Sequence, residues 1–290
     1  MSRRTRPRGF APWQPRPDTL ALLDRVRDVL GEYADHLPLT CRQIFYRLVA
    51  AGYDKTETAY ARLCEVIARA RRAGLLPFQA IRDDGANRIE APAYAGEAGF
   101  LAAVRRAAEG FRLDRQEGQP VRLVLVVEAA GMAPMLAAVA NDYGVPVVPS
   151  GGFDSLTAKH DLALDLARWP AAEVMHIGDL DPSGVHLFTA LAEDVGAMVD
   201  AMGGPPPGFT RLAVTRDQAD LWGLPTAPPK PTDRRAFTGE TVQAEAIAPD
   251  MLADLLRDAI QARQDADTRQ DVMRREAEER AALLTRLMPT

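Results

Sequence analysis

Three acidic side chains stand directly after two apolar runs of the sequence. Glu128 follows the run at residues 121–127, and Asp179 and Asp181 follow the run at residues 173–177. If these runs are neighbouring strands of a parallel sheet, their carboxyl ends bring the three carboxylates to one place. Carboxylates held together repel one another unless a cation neutralises them, and magnesium prefers such oxygen ligands. The pattern predicts a Mg²⁺ site that polarises a phosphoryl oxygen.

The acids that follow the two runs differ in how strongly they indicate a metal site. Asp181 precedes Pro182, and this pair is also an ordinary helix start, with Asp as the N-cap and Pro in the first turn. A lone Asp-x-Asp pattern is common by chance. Glu128 and Asp179 are explained by no cap, however, and both follow strand-like runs. We therefore favour a metal site over a purely structural turn.

Tyr46 is the second group that could do chemistry. The helix predicted around it has one apolar face, formed by Cys41, Ile44, Phe45, Leu48 and Val49. Tyr46 lies well off that face and four residues after Arg42, so these two side chains can be neighbours. We interpret Tyr46 as a nucleophile that attacks phosphorus. The alternatives are a ring that packs at the helix edge and a hydroxyl that binds a DNA phosphate.

A tyrosine nucleophile cannot act by itself at neutral pH. Its unperturbed pKa is near 10, so about one phenol in a thousand is ionised at pH 7, and closing that gap corresponds to roughly 4 kcal/mol. One partly exposed arginine supplies less than this. The metal site must contribute, or a base must take the proton during attack. The tyrosine and the acidic residues are therefore expected to work together.

The first part of the chain has the pattern of a small helical domain. Residues 1–17 are rich in Arg and Pro and are expected to form a disordered basic arm. Three helices are predicted at about residues 18–33, 40–50 and 56–72, with Thr40 as an N-cap and Gly74 as a stop. Residues 78–81 and 88–90 flank a turn-like cluster and predict a hairpin. This is the element order of a winged helix, a DNA-binding module.

The pattern changes after residue 120. Four apolar runs, near residues 121–127, 145–148, 173–177 and 211–214, alternate with helical segments. Nearly continuous apolar strands are typical of parallel sheets that are buried on both faces. Such β-α alternation implies a parallel α/β domain. The last part, residues 249–287, is helical and highly charged, and forms a C-terminal extension.

The charges are unevenly distributed. The formal net charge is −5, from 35 Lys and Arg against 40 Asp and Glu, but the distribution matters more than the sum. The arginines that precede the first acid, or end the third helix, include Arg3, Arg4, Arg6, Arg8, Arg69, Arg71 and Arg72. A basic front with an acidic rear fits nucleic acid on one side. The arm could equally be a solubility leader, and the helix-end arginines a solvated end favoured by the dipole.

Composition also restricts the location of the protein. No apolar run approaches the roughly 20 residues of a membrane span. The N-terminal arginines precede no apolar stretch, which is unlike a signal peptide. Only Cys41 and Cys64 are present, so a disulfide framework is not expected and a reducing compartment fits. We expect a cytoplasmic, nucleoid-associated protein.

Two motifs together resemble a known family. Glu128, with Gly178-Asp-Leu-Asp-Pro-Ser-Gly184 after the third strand, is similar to a Toprim domain, the metal-binding fold of topoisomerases, primases and some nucleases. Arg42-Gln-Ile-Phe-Tyr46 resembles the Arg-acid-Ile-Tyr-Tyr motif of the topoisomerase VI A subunit, its meiotic double-strand-break relatives and short stand-alone homologues. With further matches, including residues 243–246, the likeness runs from about residue 37 to residue 260.

The resemblance implies a domain layout and a set of roles. A winged-helix domain would span residues 18–93, a linker helix 94–120, a Toprim domain 121–240 and C-terminal helices 241–290. The implied magnesium ligands are Glu128, Asp179 and Asp181, with Glu128 also able to act as general acid or base. Tyr46 takes the place of the attacking tyrosine, beside Arg42. After Glu128 the chain departs from many relatives, because it lacks their lysine.

The resemblance also implies partners. In the family the tyrosine of one subunit works with the metal site of the other, which implies a homodimer. The implied ligand is double-stranded DNA, contacted by the arm arginines and by Arg47, Lys55, Arg69, Arg71 and Arg72. Since the sequence contains no P-loop, strand passage would require a separate ATPase subunit.

Three functions remain open from the sequence. The first is DNA cleavage of the topoisomerase VI A type through a phosphotyrosine link. The second is a metal-dependent nuclease that uses water, with Tyr46 only assisting. The third is a non-catalytic DNA-binding dimer that retains the metal site.

Overall fold

A computed structural model describes residues 10–82, 91–149, 156–229 and 235–287 of the chain. The first part is helical. Its elements are α1 (Pro17–Glu32), β1 (Leu39–Thr40), α2 (Cys41–Ala50), α3 (Glu57–Arg72) and β2 (Ile81–Arg82). The three predicted helices are therefore confirmed, each within two residues of its expected bounds.

Capping residues explain where these helices begin and end. The Thr40 hydroxyl accepts from the Gln43 backbone N–H, and the Gln43 side chain accepts from the Thr40 backbone N–H, which forms a capping box at the start of α2. The Thr56 hydroxyl caps α3 by accepting a hydrogen bond from the Ala59 N–H. Beyond α3, Gly74 has φ +73°, a conformation that glycine adopts without strain.

The strand that was expected to open a hairpin has a different partner. Residues 78–80 form a 3-10 turn, and β2 then pairs in parallel with β1, Leu39 opposite Ile81. The second half of the predicted hairpin, at residues 88–90, lies outside the described residues. Among the described residues, β2 therefore forms no hairpin. It pairs with β1, the short strand that directly precedes α2.

The second part is a parallel α/β arrangement, as the alternation of runs predicts. A linker helix, α4 (Glu97–Glu109), precedes it. The sheet contains β3 (Arg122–Val127), β4 (Val147–Pro149), β5 (Ala172–Ile177) and β6 (Gly208–Ala213), in the order β4-β3-β5-β6, with all neighbouring pairs parallel. The intervening helices are α5 (Ala133–Ala140), α6 (Leu156–Leu166), α7 (Pro182–Ala201) and α8 (Arg216–Leu221).

Both faces of the sheet are buried, which accounts for the continuous apolar runs. One face, with Val124 and Val126, packs against α6 and α7. The other face, with Leu125, belongs to a core that also contains Leu23 of α1 and Ile44 of α2. The helical part and the sheet therefore share one hydrophobic core, and their relative position is set by packing.

Two further helices close the chain. α9 (Pro249–Gln261) packs against α5, and α10 (Ala266–Arg286) packs against α4. Glu276 of α10 binds Arg115 through both oxygens, at 3.2 Å to Nε and 2.9 Å to Nη2, and its side chain is only 3% exposed. The Arg115 bond, more than any other contact, lowers the pKa of Glu276 to about 2.

We expect Glu276→Gln to lower the free energy of unfolding by about 3 kcal/mol at pH 7, because it leaves the Arg115 cation buried without its partner. A carboxylate with a depressed pKa stabilises the fold above its ordinary pKa of 4.5 and loses that effect as the pH falls through about 2. Urea unfolding should show a difference in the free energy of unfolding between the wild type and Glu276→Gln at pH 7, and this difference should shrink toward pH 2. An exposed neighbour, Glu279→Gln, should change stability by under about 0.5 kcal/mol. A gap that persists unchanged in acid would contradict the ion-pair explanation.

None of the helices within the described residues is long and apolar enough to cross a membrane.

Candidate functional site

The adjacency of β3 and β5 brings two of the predicted acids together. The Glu128 backbone N–H donates to the Ile177 carbonyl at 2.9 Å, which extends the β3–β5 pairing by one residue. The Glu128 side chain then reaches across the end of β5, where Oε2 accepts from the Asp179 N–H at 2.9 Å. The carboxylate of one strand end is thus tied to the backbone of the next.

Two glycines make room for the Glu128 carboxylate. A Cβ at Gly178 would lie 2.5 Å from Glu128 Oε2 and would also collide with the His176 ring. A Cβ at Gly184, in the first turn of α7, would lie 2.9 Å from the same oxygen and would collide with the Asp179 carbonyl. The glycines that begin and end the Gly-Asp-Leu-Asp-Pro-Ser-Gly motif are therefore required by close packing around Glu128.

Each of the two aspartates, Asp179 and Asp181, accepts a hydrogen bond from a backbone N–H with one of its carboxylate oxygens. Asp181 Oδ1 accepts from the Gly184 N–H at 2.7 Å and caps α7, with Pro182 in the first turn. The capping interpretation of this residue is therefore confirmed. Asp179 Oδ1 accepts from the Ala244 N–H at 2.8 Å. Within the described residues, the second oxygen of each carboxylate, Glu128 included, accepts no hydrogen bond.

Burial and repulsion by neighbouring acids raise the pKa values of Glu128 and Asp179. Burial is the largest cause of the rise of the Glu128 pKa to about 7, and the charges of Asp179 and Asp181 add to it. Burial also raises the pKa of Asp179, again with a contribution from Asp181. The three acids are therefore close enough to interact electrostatically, which the sequence predicted for the carboxyl ends of adjacent strands.

A cation from the chain partly balances these charges. Arg211 of β6 donates to the carbonyls of Gly178 at 3.0 Å and Gly184 at 3.2 Å, and also to that of Asp179. Its charge lowers the pKa of Glu128, although less than burial raises it. Burial lowers the pKa of Arg211 itself, and the charges of the acids counteract this. We call residues 178–184 the acidic turn. Arg211 thus holds the backbone of this turn in place and supplies a positive charge next to its acids.

Arg211→Met is expected to reduce the free energy of unfolding by about 2–4 kcal/mol, because it removes hydrogen bonds to several carbonyls and a counter-charge at once. Guanidinium denaturation at pH 7 measures the change. Arg257→Met, which removes a half-exposed arginine of α9 paired with Asp254, should cost less than about 1 kcal/mol. Equal losses in the free energy of unfolding for the two substitutions would show that Arg211 does not hold the acidic turn in place.

The three acids could hold magnesium only as a partial ligand set. Within the described ranges, no group of three His, Cys, Asp or Glu side chains could hold a metal ion by itself, so an ion at Glu128, Asp179 and Asp181 would need further ligands from outside the chain. Mg²⁺ commonly has such ligands, since it keeps several waters and takes one or two carboxylates together with phosphate oxygens. The second oxygens of these carboxylates are compatible with that partial set.

The position of Tyr46 differs from the expectation. Its ring was expected to lie off the core, but Tyr46 is only 8% exposed and belongs to the hydrophobic core. The reason is that α2 is covered on two sides. Ile44 and Leu48 are buried on the expected face, and the turn at residues 244–246 packs against the helix as well. The pattern of α2 alone reveals only the first of these faces.

The environment of Tyr46 does not activate its hydroxyl in this arrangement. Burial raises the pKa of Tyr46 to about 12, and the negative charge of Asp179 adds to the rise. The neighbouring Arg42 has the opposite effect, but a smaller one. The two predicted partners, Tyr46 and Arg42, are therefore neighbours, and Asp179 of the same chain lies within electrostatic reach of the phenol.

A short segment at residues 243–246 joins the helix to the acidic turn. Arg42 donates to the Gln243 side chain at 2.6 Å and lies 3.6 Å from Glu245 Oε2. Glu245 is buried and also accepts from the Thr40 hydroxyl. The Ala244 N–H of the same segment binds Asp179. This bridging segment therefore holds α2 and the acidic turn at a defined separation.

Tyr46 and Asp181 line one cavity of about 480 Å³. Its wall combines cationic, phenolic and acidic groups with proline, and includes Arg42, Lys55, Tyr60, Asp181, Pro225 and Gln243. The volume lies within the range of about 300–1,000 Å³ that is typical of ligand sites. The cavity lies between α2 and α3 on one side and the start of α7 on the other.

The residues predicted to contact DNA have different positions. Arg47 is partly buried and donates to the Ala246 carbonyl. In this arrangement its guanidinium faces the bridging segment, and a DNA contact at Arg47 stays a prediction. Lys55 is exposed at the cavity and donates to the Thr226 carbonyl. Arg69, Arg71 and Arg72 end α3 as predicted. The arm residues Arg3, Arg4, Arg6 and Arg8 lie outside the described residues.

Sequence reasoning did not identify four residues of this region as site residues. They are Tyr60, Arg211, Gln243 and Glu245. Arg211 was the one with a detectable signal, since it adjoins the apolar residues 212–214 and a charge that packs into a sheet needs a partner. Gln243 and Glu245 fell within a resemblance match, but nothing local indicates that they meet α2 some 200 residues earlier.

No family model matches this chain, and no curated protein matches it either.

Proposed function

We propose that this chain binds double-stranded DNA and cleaves it in a magnesium-dependent reaction of the topoisomerase VI A type, with a winged-helix domain and a Toprim domain. The observation that carries the proposal is the shared cavity, which is lined by Tyr46, Arg42 and Asp181. A phenol, a guanidinium and one carboxylate of the acidic turn at this opening are groups that a transfer at phosphorus can use. Each part alone would be an incomplete catalyst.

Each residue has a role in this proposal. The carboxylates of Glu128, Asp179 and Asp181 would hold the ion, which supplies Lewis-acid polarisation of a phosphoryl oxygen when bound. Arg42 lies close enough to Tyr46 to influence its ionisation, and its cation would orient a phosphate oxygen. The Tyr46 oxygen would attack phosphorus as the phenol gives up its proton, the bond from phosphorus to the deoxyribose oxygen would break, and that released oxygen would take up a proton. Glu128, with its pKa raised toward neutrality, is suited to exchange that proton.

A second candidate is hydrolysis, in which water attacks and Tyr46 only assists. Two observations favour it, because Tyr46 is 8% exposed and its pKa is raised to about 12. A phenol with that pKa is ionised in roughly one molecule in 100,000 at pH 7, and the gap corresponds to about 7 kcal/mol. A tyrosine mechanism therefore requires DNA binding to open the Tyr46 environment or a base to accept its proton.

The assembly belongs to the same proposal. DNA would approach the basic front, with Lys55 at the cavity and Arg69 and Arg72 at the end of α3. A homodimer would place two such sites on the two strands of a duplex, and strand passage would use a separate ATPase subunit. Cytoplasmic, nucleoid-associated action follows from this ligand.

The deciding experiment incubates the purified chain with supercoiled plasmid and Mg²⁺, then adds detergent with or without protease. The topoisomerase-type proposal expects linear DNA whose ends are released from protein only by protease. Linear DNA with free ends supports hydrolysis. Intact plasmid that is nevertheless bound in a gel-shift assay supports the non-catalytic dimer and overturns the proposal.

A further inference from the structure

Aromatic rings are exposed at the C-terminal end of α3, away from the cavity. Phe10 is 81% exposed and Phe78 is 43% exposed, and their rings meet edge to face with centroids 5.8 Å apart. The Ala11 N–H donates to the Arg72 carbonyl at 3.1 Å, which attaches the segment that carries Phe10 to the helix end. The exposed rings are thus held in place by contacts with the folded domain.

Arginine side chains lie on the neighbouring rings. The Arg69 guanidinium is 4.5 Å from the Trp13 ring centroid, and that of Arg71 is 4.6 Å from the Phe78 ring centroid. Arg71 also donates to the Phe78 carbonyl at 3.2 Å. We call Phe10, Trp13, Phe78, Arg69 and Arg71 the aromatic surface. It combines cations with flat apolar rings in a small area.

This combination matches one ligand chemistry. Every nucleobase has a flat π-face that stacks on aromatic side chains, and cations nearby attract the phosphates between the bases. A duplex hides those faces inside its own stack, so only an unpaired strand can use an exposed ring such as Phe10. We propose that the aromatic surface binds single-stranded DNA, with one base stacked on Phe10.

The aromatic surface shares Arg69 with the basic front proposed for duplex DNA, but it lies apart from the proposed cleavage site. Tyr60, near the start of α3, lines the cavity, and Arg71 lies 11 residues later, about 16 Å along the helix axis. Strand binding here requires neither Tyr46 nor a metal ion. The proposal therefore holds or fails independently of DNA cleavage.

The test measures binding of the full chain to a fluorescein-labelled oligo(dT) of about 12 nucleotides, in EDTA, by fluorescence anisotropy. A duplex of equal length is measured in parallel. Phe10→Ala should weaken single-strand binding about tenfold and change duplex binding by less than about twofold. Phe10→Trp should preserve single-strand binding, because the larger ring still stacks. Because Phe10 is exposed, Phe10→Ala is expected to leave the fold intact. Circular dichroism checks that any loss of binding is not due to unfolding.

The chain offers a matched control in α4. Phe100 is 47% exposed and meets Tyr94 edge to face, with centroids 5.1 Å apart. Phe100→Ala removes a comparable ring and should leave both affinities unchanged. The proposal is overturned if Phe10→Ala has no larger effect than Phe100→Ala, if it weakens duplex binding equally, or if the wild-type chain does not bind the single strand.

Discussion

Tyr46→Phe is expected to abolish protein-linked DNA breaks, with a loss on the order of 1,000-fold or more, because it removes the oxygen that the proposal assigns to the phosphotyrosine bond. The substitution keeps the ring, which packs 5.6 Å from Phe45 between centroids, so the hydrophobic core is preserved. The measurement is the yield of covalent complex on labelled DNA after detergent and Mg²⁺. DNA binding in EDTA should stay within about threefold of wild type, since a single hydroxyl is lost.

The control for this prediction is a second cavity tyrosine. Tyr60→Phe removes another hydroxyl from the same cavity, and it should reduce the covalent complex only modestly. Under hydrolysis, Tyr46→Phe leaves cutting largely intact and no covalent complex is found with either protein. If Tyr46→Phe and wild type give equal amounts of covalent complex, another residue is the nucleophile and the assignment of Tyr46 is wrong.

Asp179→Asn is the second substitution with a large expected effect. It removes the charge but keeps an oxygen for the Ala244 N–H, 2.8 Å away, so the bridging segment should stay in place. Loss of a metal-binding carboxylate at the reacting phosphate is expected to lower the cutting rate about 1,000-fold, which corresponds to roughly 4 kcal/mol of transition-state stabilisation. Both phosphotyrosine formation and hydrolysis would be affected.

A readout independent of cutting accompanies this prediction. A ligand that binds the folded state raises the melting temperature, so Mg²⁺ should stabilise the wild type and should stabilise Asp179→Asn much less. Asp220→Asn, an exposed aspartate of α8, is the matched control and should behave as wild type in both assays. An Asp179→Asn protein that cuts normally would remove the metal site from the proposal.

Mixing two inactive proteins tests the subunit arrangement. The resemblance implies that Tyr46 acts on the metal site of a partner, whereas Tyr46 and Asp181 also line one cavity within a single chain. If sites are shared between subunits, Tyr46→Phe mixed with Asp179→Asn regains cutting in mixed dimers. If each chain contains a complete site, the mixture stays inactive.

Local sequence patterns were sufficient to predict the helices, the parallel sheet and the proximity of Glu128 to Asp179. The start of α2 follows from its predicted cap, Thr40, and the parallel sheet follows from apolar runs that alternate with helices. The position of Glu128 and Asp179 at strand ends was enough to predict their proximity, once β3 and β5 were assumed to be neighbours. These features depend on residues within a few positions of one another or on general rules of sheet topology.

The tertiary structure alone decided what surrounds Tyr46. Helical periodicity describes one apolar face of α2, so it placed Tyr46 outside the core. The second covering of α2 comes from residues 244–246, about 200 positions later. The same distance separates Arg42 from Gln243 and Glu245. Such contacts depend on how the helical part packs on the sheet, and a local pattern contains no record of that packing. Burial of Tyr46, which raises its pKa, is therefore a property of the folded chain.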